Sequence, residues 1–179
     1  MRLGVYIGSF NPVHNGHINL VNYLLEENYV DRVLIVPTIG YWDKRNLVDI
    51  NHRINMLKFF ENDNILVDIN HNNYEFTCEL MDSLKEDIVD DLYLIMGADN
   101  IINFDKWKNY QDLLKYNIII VNRDNINIDD YTKNYNTSNF IICRDYKPLN
   151  ISSTFIRGNL DDKYLDKRVY NYIKENNLY

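Results

Sequence analysis

Short aliphatic runs recur along this chain at Leu3–Ile7, Val33–Val36, Ile65–Ile69, Leu92–Met96, Ile118–Val121 and Phe140–Ile142, and between them apolar residues fall at helical spacing. Short runs of three to five residues that are almost wholly apolar are the mark of strands buried on both faces. Strands separated by helices need crossover connections, which favour parallel pairing. The expectation is therefore an α/β, Rossmann-like, doubly wound and mostly parallel sheet of five to six strands with helices on both faces. At 179 residues the chain suits one such domain over 1–179, burying roughly 70% of the surface of its unfolded state.

The helical stretches are legible at the same level. Ile18, Val21 and Leu25 predict a first helix, with Asn15 as a cap, and a second is expected over about 51–60 with Ile54, Met56 and Leu57 inward. Cys78, Leu80, Met81 and Leu84 predict a third, and Val169, Tyr172 and Ile173 a last helix over about 163–175. The polar stretch 122–139 reads as a long mobile loop. No internal repeat, low-complexity linker or domain boundary interrupts the pattern.

Charge narrows the partners. Lys and Arg total 19 against 26 Asp and Glu, a formal charge of -7, which lacks the excess positive field that binding along a nucleic-acid backbone requires. A small phosphorylated ligand needs only a local cationic pocket. No run approaches the ~20 apolar residues of a membrane span, and no secretory h-region follows Met1. A cytoplasmic protein with no membrane partner is expected. Cys78 and Cys143 are far apart with no second pair, so two reduced, buried thiols are expected rather than a metal site or a disulfide framework.

In open parallel sheets, ligands bind beyond the carboxyl ends of the strands, at the switch in strand order. The chemically promising residues follow strands. Gly8-Ser9-Phe10-Asn11-Pro12-Val13-His14-Asn15-Gly16-His17 joins the first strand to the first helix. Gly8 allows a ligand close to the backbone, and the first turn's amides favour an anion. His14 and His17, three apart, can face one phosphate as hydrogen-bond donors. The alternatives are two polar loop histidines or part of a metal site, but no further ligand falls in the same turn. At the other end, Ser152, Ser153 and Thr154 precede an expected exposed Arg157 on the same helical face, an arrangement suited to an oligophosphate tail or, alone, to an ordinary helix start. Lys44 could reach a phosphate as a mobile point charge. Asp99, after Gly97, could accept from ribose hydroxyls, Arg53 opens a helix, and Phe104 and Trp107 suit either ring stacking or core packing.

These residues resemble a known family. GSFNPVHNGH is similar to the (H/T)xGH signature of the nucleotidyltransferase superfamily, and ISSTFIR to its second signature. GADN with FDKW, and the ending from Tyr164-Leu165 through Tyr172-Ile173 to Leu178-Tyr179, resemble bacterial nicotinate-nucleotide adenylyltransferases over almost the whole chain. The resemblance implies transfer of AMP from ATP, with Mg²⁺, to nicotinate mononucleotide, releasing pyrophosphate. It implies catalytic roles for His14, His17, Lys44 and Arg157, and ATP contacts from Gly8, Ser9, Phe10, Gly16, Asp99, Ser152, Ser153 and Thr154. Asn11, Arg53, Thr77 and Trp107 would meet the pyridine nucleotide. No protein metal site is implied, Mg²⁺ being carried by the phosphates. The alternatives are a nicotinamide-using or dual-specificity enzyme, or a non-catalytic nucleotide sensor on the same fold; the oligomeric state, a homo-oligomer included, stays open.

Overall fold

The computed structural model describes residues 1–39, 47–123 and 125–179. Six strands, β1 (Arg2–Gly8), β2 (Arg32–Pro37), β3 (Ile65–Val67), β4 (Asp91–Gly97), β5 (Asn117–Val121) and β6 (Phe140–Cys143), form one sheet ordered β3-β2-β1-β4-β5-β6. Every pairing is parallel. The chain crosses from β1 outward to β3, then returns beside β1 with β4, so the switch in strand order lies between β1 and β4. This is the doubly wound sheet the apolar rhythm predicts.

Alternate residues of each strand feed two cores. On one face, Val33, Ile35, Ile95 and Ile119 pack with helices α1 (Asn15–Glu26), α2 (Ile50–Lys58), α7 (Ser153–Gly158) and α8 (Lys167–Glu175). On the other, Val5, Leu34, Leu94, Ile118 and Ile120 pack with α3 (Thr77–Asp87), α4 (Ala98–Ile101), α5 (Tyr110–Leu113) and α6 (Ile128–Thr132). Cys78 and Cys143 are buried, free thiols.

Four expectations need correction. The third strand stops at Val67, because Asp68 turns its carboxylate onto the backbone N–H groups of Asn70 (2.8 Å) and His71 (2.6 Å) and bends the chain. The first helix is capped by His14 rather than Asn15. The last begins at Lys167, where Asp166 accepts from Arg168 N–H, and a separate 3₁₀ turn covers Asp162–Tyr164. The stretch 122–139 is no featureless loop, since it contains α6 with Ile128 buried. Arg144 holds Asp129 through two bonds of 3.0 and 2.7 Å, and Tyr135 packs edge-on against Phe104.

Double-sided burial has a measurable consequence. Ile119 and Ile120 are neighbours on β5, face opposite layers and are both fully buried. Ile119→Ala and Ile120→Ala are each expected to cost about 2–5 kcal/mol in urea unfolding. A sheet covered on one face only would show that loss at one of the two.

Candidate active site

A cavity of about 1220 Å³ opens at the carboxyl ends of β1 and β4, at the switch in strand order. Single small-molecule pockets run to roughly 1,000 Å³, so this one is large for a single small ligand. Its walls include Gly8, Ser9, Phe10, Asn11, His14, Gly16 and His17 from the first loop and helix, Thr77 at the start of α3, Asp99 and Trp107 after β4, and Ser152, Ser153, Thr154 and Arg157 at α7. Two implied residues stand apart. Lys44 lies outside the described residues, and Arg53 is not on the cavity wall.

The histidine pair is organised by the backbone it belongs to. His14 is the N-cap of α1: its Nδ1 accepts the Gly16 N–H at 3.1 Å, while the His14 N–H donates to His17 Nδ1 at 3.1 Å. The two rings stack at 3.7 Å between centroids. With both Nδ1 atoms accepting, each neutral ring carries its proton on Nε2 and is a donor there. Burial, followed by the positive charge of Arg123, lowers the pKa of His14 to about 4, against a smaller opposing effect of its own backbone hydrogen bond. At neutral pH His14 is therefore an uncharged donor. A side chain on Gly16 would place its Cβ 3.0–3.1 Å from the His14 ring, so glycine between the histidines keeps the stack intact.

The loop before them is held by its carbonyls. The Asn11–Pro12 peptide is cis, and Phe10 has a φ of 44° with its ring packed over Gly8. Arg53 Nη1 donates to the carbonyls of Ser9 (2.7 Å) and Thr38 (2.6 Å), and its Nε to that of Val48 (2.8 Å). Arg53 is 2% exposed. Its implied contact with substrate gives way in the structure to support of the loop from behind.

The second cluster is less free than its hydroxyl count suggests. Ser152 Oγ caps α7 by accepting Phe155 N–H at 3.2 Å, and Ser153 Oγ donates to the Pro12 carbonyl at 2.9 Å. Arg157 is half-buried rather than exposed; it donates to the Asn11 carbonyl (2.7 Å) and to Thr154 Oγ1 (3.2 Å). A guanidinium has five N–H donors, so capacity for an anion remains beyond these two bonds.

After β4, Asp99 Oδ1 is buried without a hydrogen-bond partner, and Oδ2 lies 4.0 Å from Arg123 Nη1. Gly97 makes room for that carboxylate, since a Cβ there would fall 2.4 Å from Oδ1. Trp107 stacks edge-on against the fully buried Phe104 at 5.4 Å, which assigns Phe104 to the core and leaves Trp107 at the wall. Thr77 opens α3, whose N-cap, Phe76, supplies no side-chain cap.

Arg123 escaped the sequence reading, although its place two residues after β5 satisfies the rule that found the others. Lys106 and Lys108 also line the cavity, and Lys108 pairs with Glu79 at 2.8 Å and lies 4.0 Å over the Phe76 ring. Among the described residues, no group of three or more His, Cys, Asp or Glu could hold a metal ion, and no helix is long and apolar enough to cross a membrane.

A parallel sheet of this order, with stacked histidine donors at its switch point and an arginine-bearing helix start opposite, defines a nucleotidyltransferase. The chain matches the cytidylyltransferase-like family over residues 5–159. It is 35% identical to the probable nicotinate-nucleotide adenylyltransferase of Acholeplasma laidlawii, covering 98% of this chain and 96% of that one. It is 33% identical to the protein of the same description from Borreliella burgdorferi, covering 100% and 97%. Nicotinic acid mononucleotide adenylyltransferase of Plasmodium falciparum, solved with NaAD, shares the fold with a TM-score of 0.82 at 22% identity, covering 99% of this chain and 96% of that one. The chain belongs to the nicotinate-nucleotide adenylyltransferase family.

The low pKa of His14 makes stability depend on pH. An unfolded histidine titrates near 6.5, whereas folded His14 stays neutral down to about 4. Between those values the unfolded state binds more protons, so this residue's contribution is lost as pH falls from 6.5 towards 4. His71 acts in another window. Burial lowers its pKa, but Asp68 and Asp87 outweigh burial and raise it overall, so its contribution is complete below 6.5 and lost above. Urea unfolding from pH 4 to 6.5 is therefore expected to show a shallower loss of stability in His14→Gln than in the wild type; equal slopes would contradict the buried neutral ring.

Proposed function

We propose that the protein transfers the adenylyl group of ATP to the phosphate of nicotinate mononucleotide, giving nicotinate adenine dinucleotide and pyrophosphate in NAD biosynthesis. The observation that carries this reading is the stacked histidine pair, both rings with Nδ1 accepting from the backbone, in the wall of a cavity of about 1220 Å³. Family membership supports the choice of reaction. A cytoplasmic location suits these substrates, and all of 1–179 is read as one working unit because the cavity wall takes residues from the first loop and from α7, near the two ends of the sequence.

The acceptor phosphate is already ionised, so the reaction needs no general base. What remains is to align two anions and stabilise charge as it moves onto the α-phosphate oxygens and the leaving pyrophosphate. His14 and His17 donate from Nε2 to the ATP phosphates. Gly8, Ser9, Phe10 and Gly16 shape the wall that lets those phosphates approach the backbone. Arg157, with the α7 start at Ser152, Ser153 and Thr154, meets the triphosphate tail, and Lys44 neutralises the facing phosphates. Asp99, with an unmet buried acceptor, receives ribose hydroxyls, and Arg123 balances its charge.

Mg²⁺ enters with ATP. Such an ion keeps several waters and leans on substrate phosphates rather than on an all-protein cage, which fits a cavity whose nearby carboxylate is Asp99. Bound to ATP it offsets phosphate charge. Asn11, Thr77 and Trp107 face the acceptor, the pyridine ring lying against Trp107.

His17→Ala is expected to lower kcat on the order of 10²-fold, the scale for one preorganised donor, with a smaller change in ATP affinity. Near-normal turnover in a folded variant would remove His17 from this role. A nicotinate carboxylate only accepts hydrogen bonds, whereas a nicotinamide also donates two. Donors near Thr77 and Trp107 would leave that NH₂ unmet, a cost of roughly 1–3 kcal/mol. Pyrophosphate release is expected to favour nicotinate mononucleotide at least about tenfold in kcat/KM; equal efficiencies would assign the protein to the dual-specificity class.

A further inference from the structure

The reaction above gives no part to Lys106 and Lys108, the two lysines that flank Trp107 on the cavity wall. Lys106 stays within its own segment, its Nζ donating to Asn103 Oδ1 at 2.9 Å. Lys108 crosses to the start of α3 instead. Its Nζ lies 2.8 Å from Glu79 Oε1 and 4.0 Å from the centroid of the Phe76 ring. Phe76 and Thr77 line the same cavity. The ammonium thus joins the two segments, one ending at Trp107 and one opening at Phe76, that border the acceptor's ring in the proposed reaction.

Neither partner ties that charge up. The side chains of Lys108 and Glu79 are 43% and 45% exposed, and an exposed pair of this kind adds little to stability. Glu79 sits in the first turn of α3, where the helix start favours a carboxylate without help from a lysine. An ammonium has three N–H donors, and one goes to Glu79. The face of the Phe76 ring attracts the cation and keeps it on the wall. The two pyridine mononucleotides share ribose and phosphate and differ only in a carboxylate against a carboxamide. A cation that meets the phosphate acts on both alike, so selection by charge needs a cation at the ring end. Hydrogen bonds to an ionised partner are roughly twice as strong as neutral ones, and the amide's NH₂ finds only another donor in an ammonium.

We propose that Lys108 is a specificity-determining residue for the acid form of the acceptor: its ammonium, held between Glu79 and the Phe76 ring, takes the pyridine carboxylate as a partner. The role rests on the reading that lays the pyridine ring against Trp107. Glu79 sets its strength, because two carboxylates then compete for one positive charge.

The test compares kcat/KM for nicotinate and nicotinamide mononucleotide in the wild type, Lys108→Met, Lys108→Arg and Glu79→Gln, with KM for ATP and Tm alongside. The ratio of the two acceptors cancels what ribose and phosphate contribute. Lys108→Met keeps the apolar stem over Phe76 and removes the charge; it is expected to lower efficiency with the acid about tenfold, the scale of one hydrogen bond to a charged group, with the amide, ATP KM and Tm little changed. Lys108→Arg should retain the preference. Glu79→Gln should widen it, a shift opposite in sign to that of Lys108→Met, whereas a merely structural ion pair would give the two variants the same effect. A preference for the acid that survives in Lys108→Met, an equal loss with both acceptors, or a narrowed preference in Glu79→Gln would overturn this role alone. A wild type without preference for the acid would overturn the nicotinate reading itself and this role with it.

Discussion

Everything at the active site hangs on how the loop between β1 and α1 is gripped by its carbonyl oxygens. Gly8 accepts from the Thr38 N–H, Ser9 from Arg53, Asn11 from Arg157 and Pro12 from Ser153. None of these donors belongs to the loop. A buried backbone acceptor must find a partner, and here the partners come from the residue that follows β2, from α2 and from α7, so the loop's shape is dictated by how those elements pack. The histidines inherit that geometry, because His14 caps the helix that the loop delivers. Arg53 shows the cost of the arrangement. Burial pushes its pKa down, yet the charge is retained by three hydrogen bonds to carbonyls and by the nearby negative charge of Asp49. A buried cation without such partners would be strongly destabilising.

The sheet and much of the cavity wall were legible because both depend on local pattern. A doubly buried strand must be apolar along its length, as Leu92–Met96 is, and a ligand site in a parallel sheet must follow a strand. Those two rules find His14, His17 and Asp99, although they were not applied to Arg123. What escaped depends on distant partners. Arg53 opens a helix as a surface cation would, and only the folded chain shows the Ser9, Thr38 and Val48 carbonyls converging on it. Ser153 and Arg157 read as ligand groups, yet each also fastens the first loop across more than 140 residues of sequence. The polarity of 122–139 suggested mobility because its anchors, Arg144 and Phe104, lie outside it. Residues 40–46, with Lys44, remain outside the described structure.

A net charge of -7 and a cavity for anions are compatible because the two act over different distances. Screening limits the field of dispersed surface charge to about 8–10 Å in physiological salt, whereas groups on a cavity wall act at contact. Arg123, Arg157, Lys106 and Lys108 gather on that wall, with Asp99 as the facing carboxylate. Surrounding acidity then discourages polyanions while leaving the cavity positive, a division that suits a mononucleotide better than a nucleic acid.

Given such cations, the neutral state of His14 has a chemical logic. A charged imidazolium would attract the ground-state triphosphate strongly, and attraction that is equal in ground and transition states gives affinity without rate. A neutral Nε2–H, aimed by a backbone bond to Nδ1, attracts the resting phosphate less, and its hydrogen bond strengthens as negative charge develops. Arg123 contributes to the neutrality by disfavouring a second positive charge beside it, so an arginine on the same cavity wall helps to keep the histidine uncharged. On the proposed reaction, binding and rate are thereby assigned to different residues: arginines and lysines hold the phosphates, and the stacked histidines respond to the charge that appears as the bond breaks.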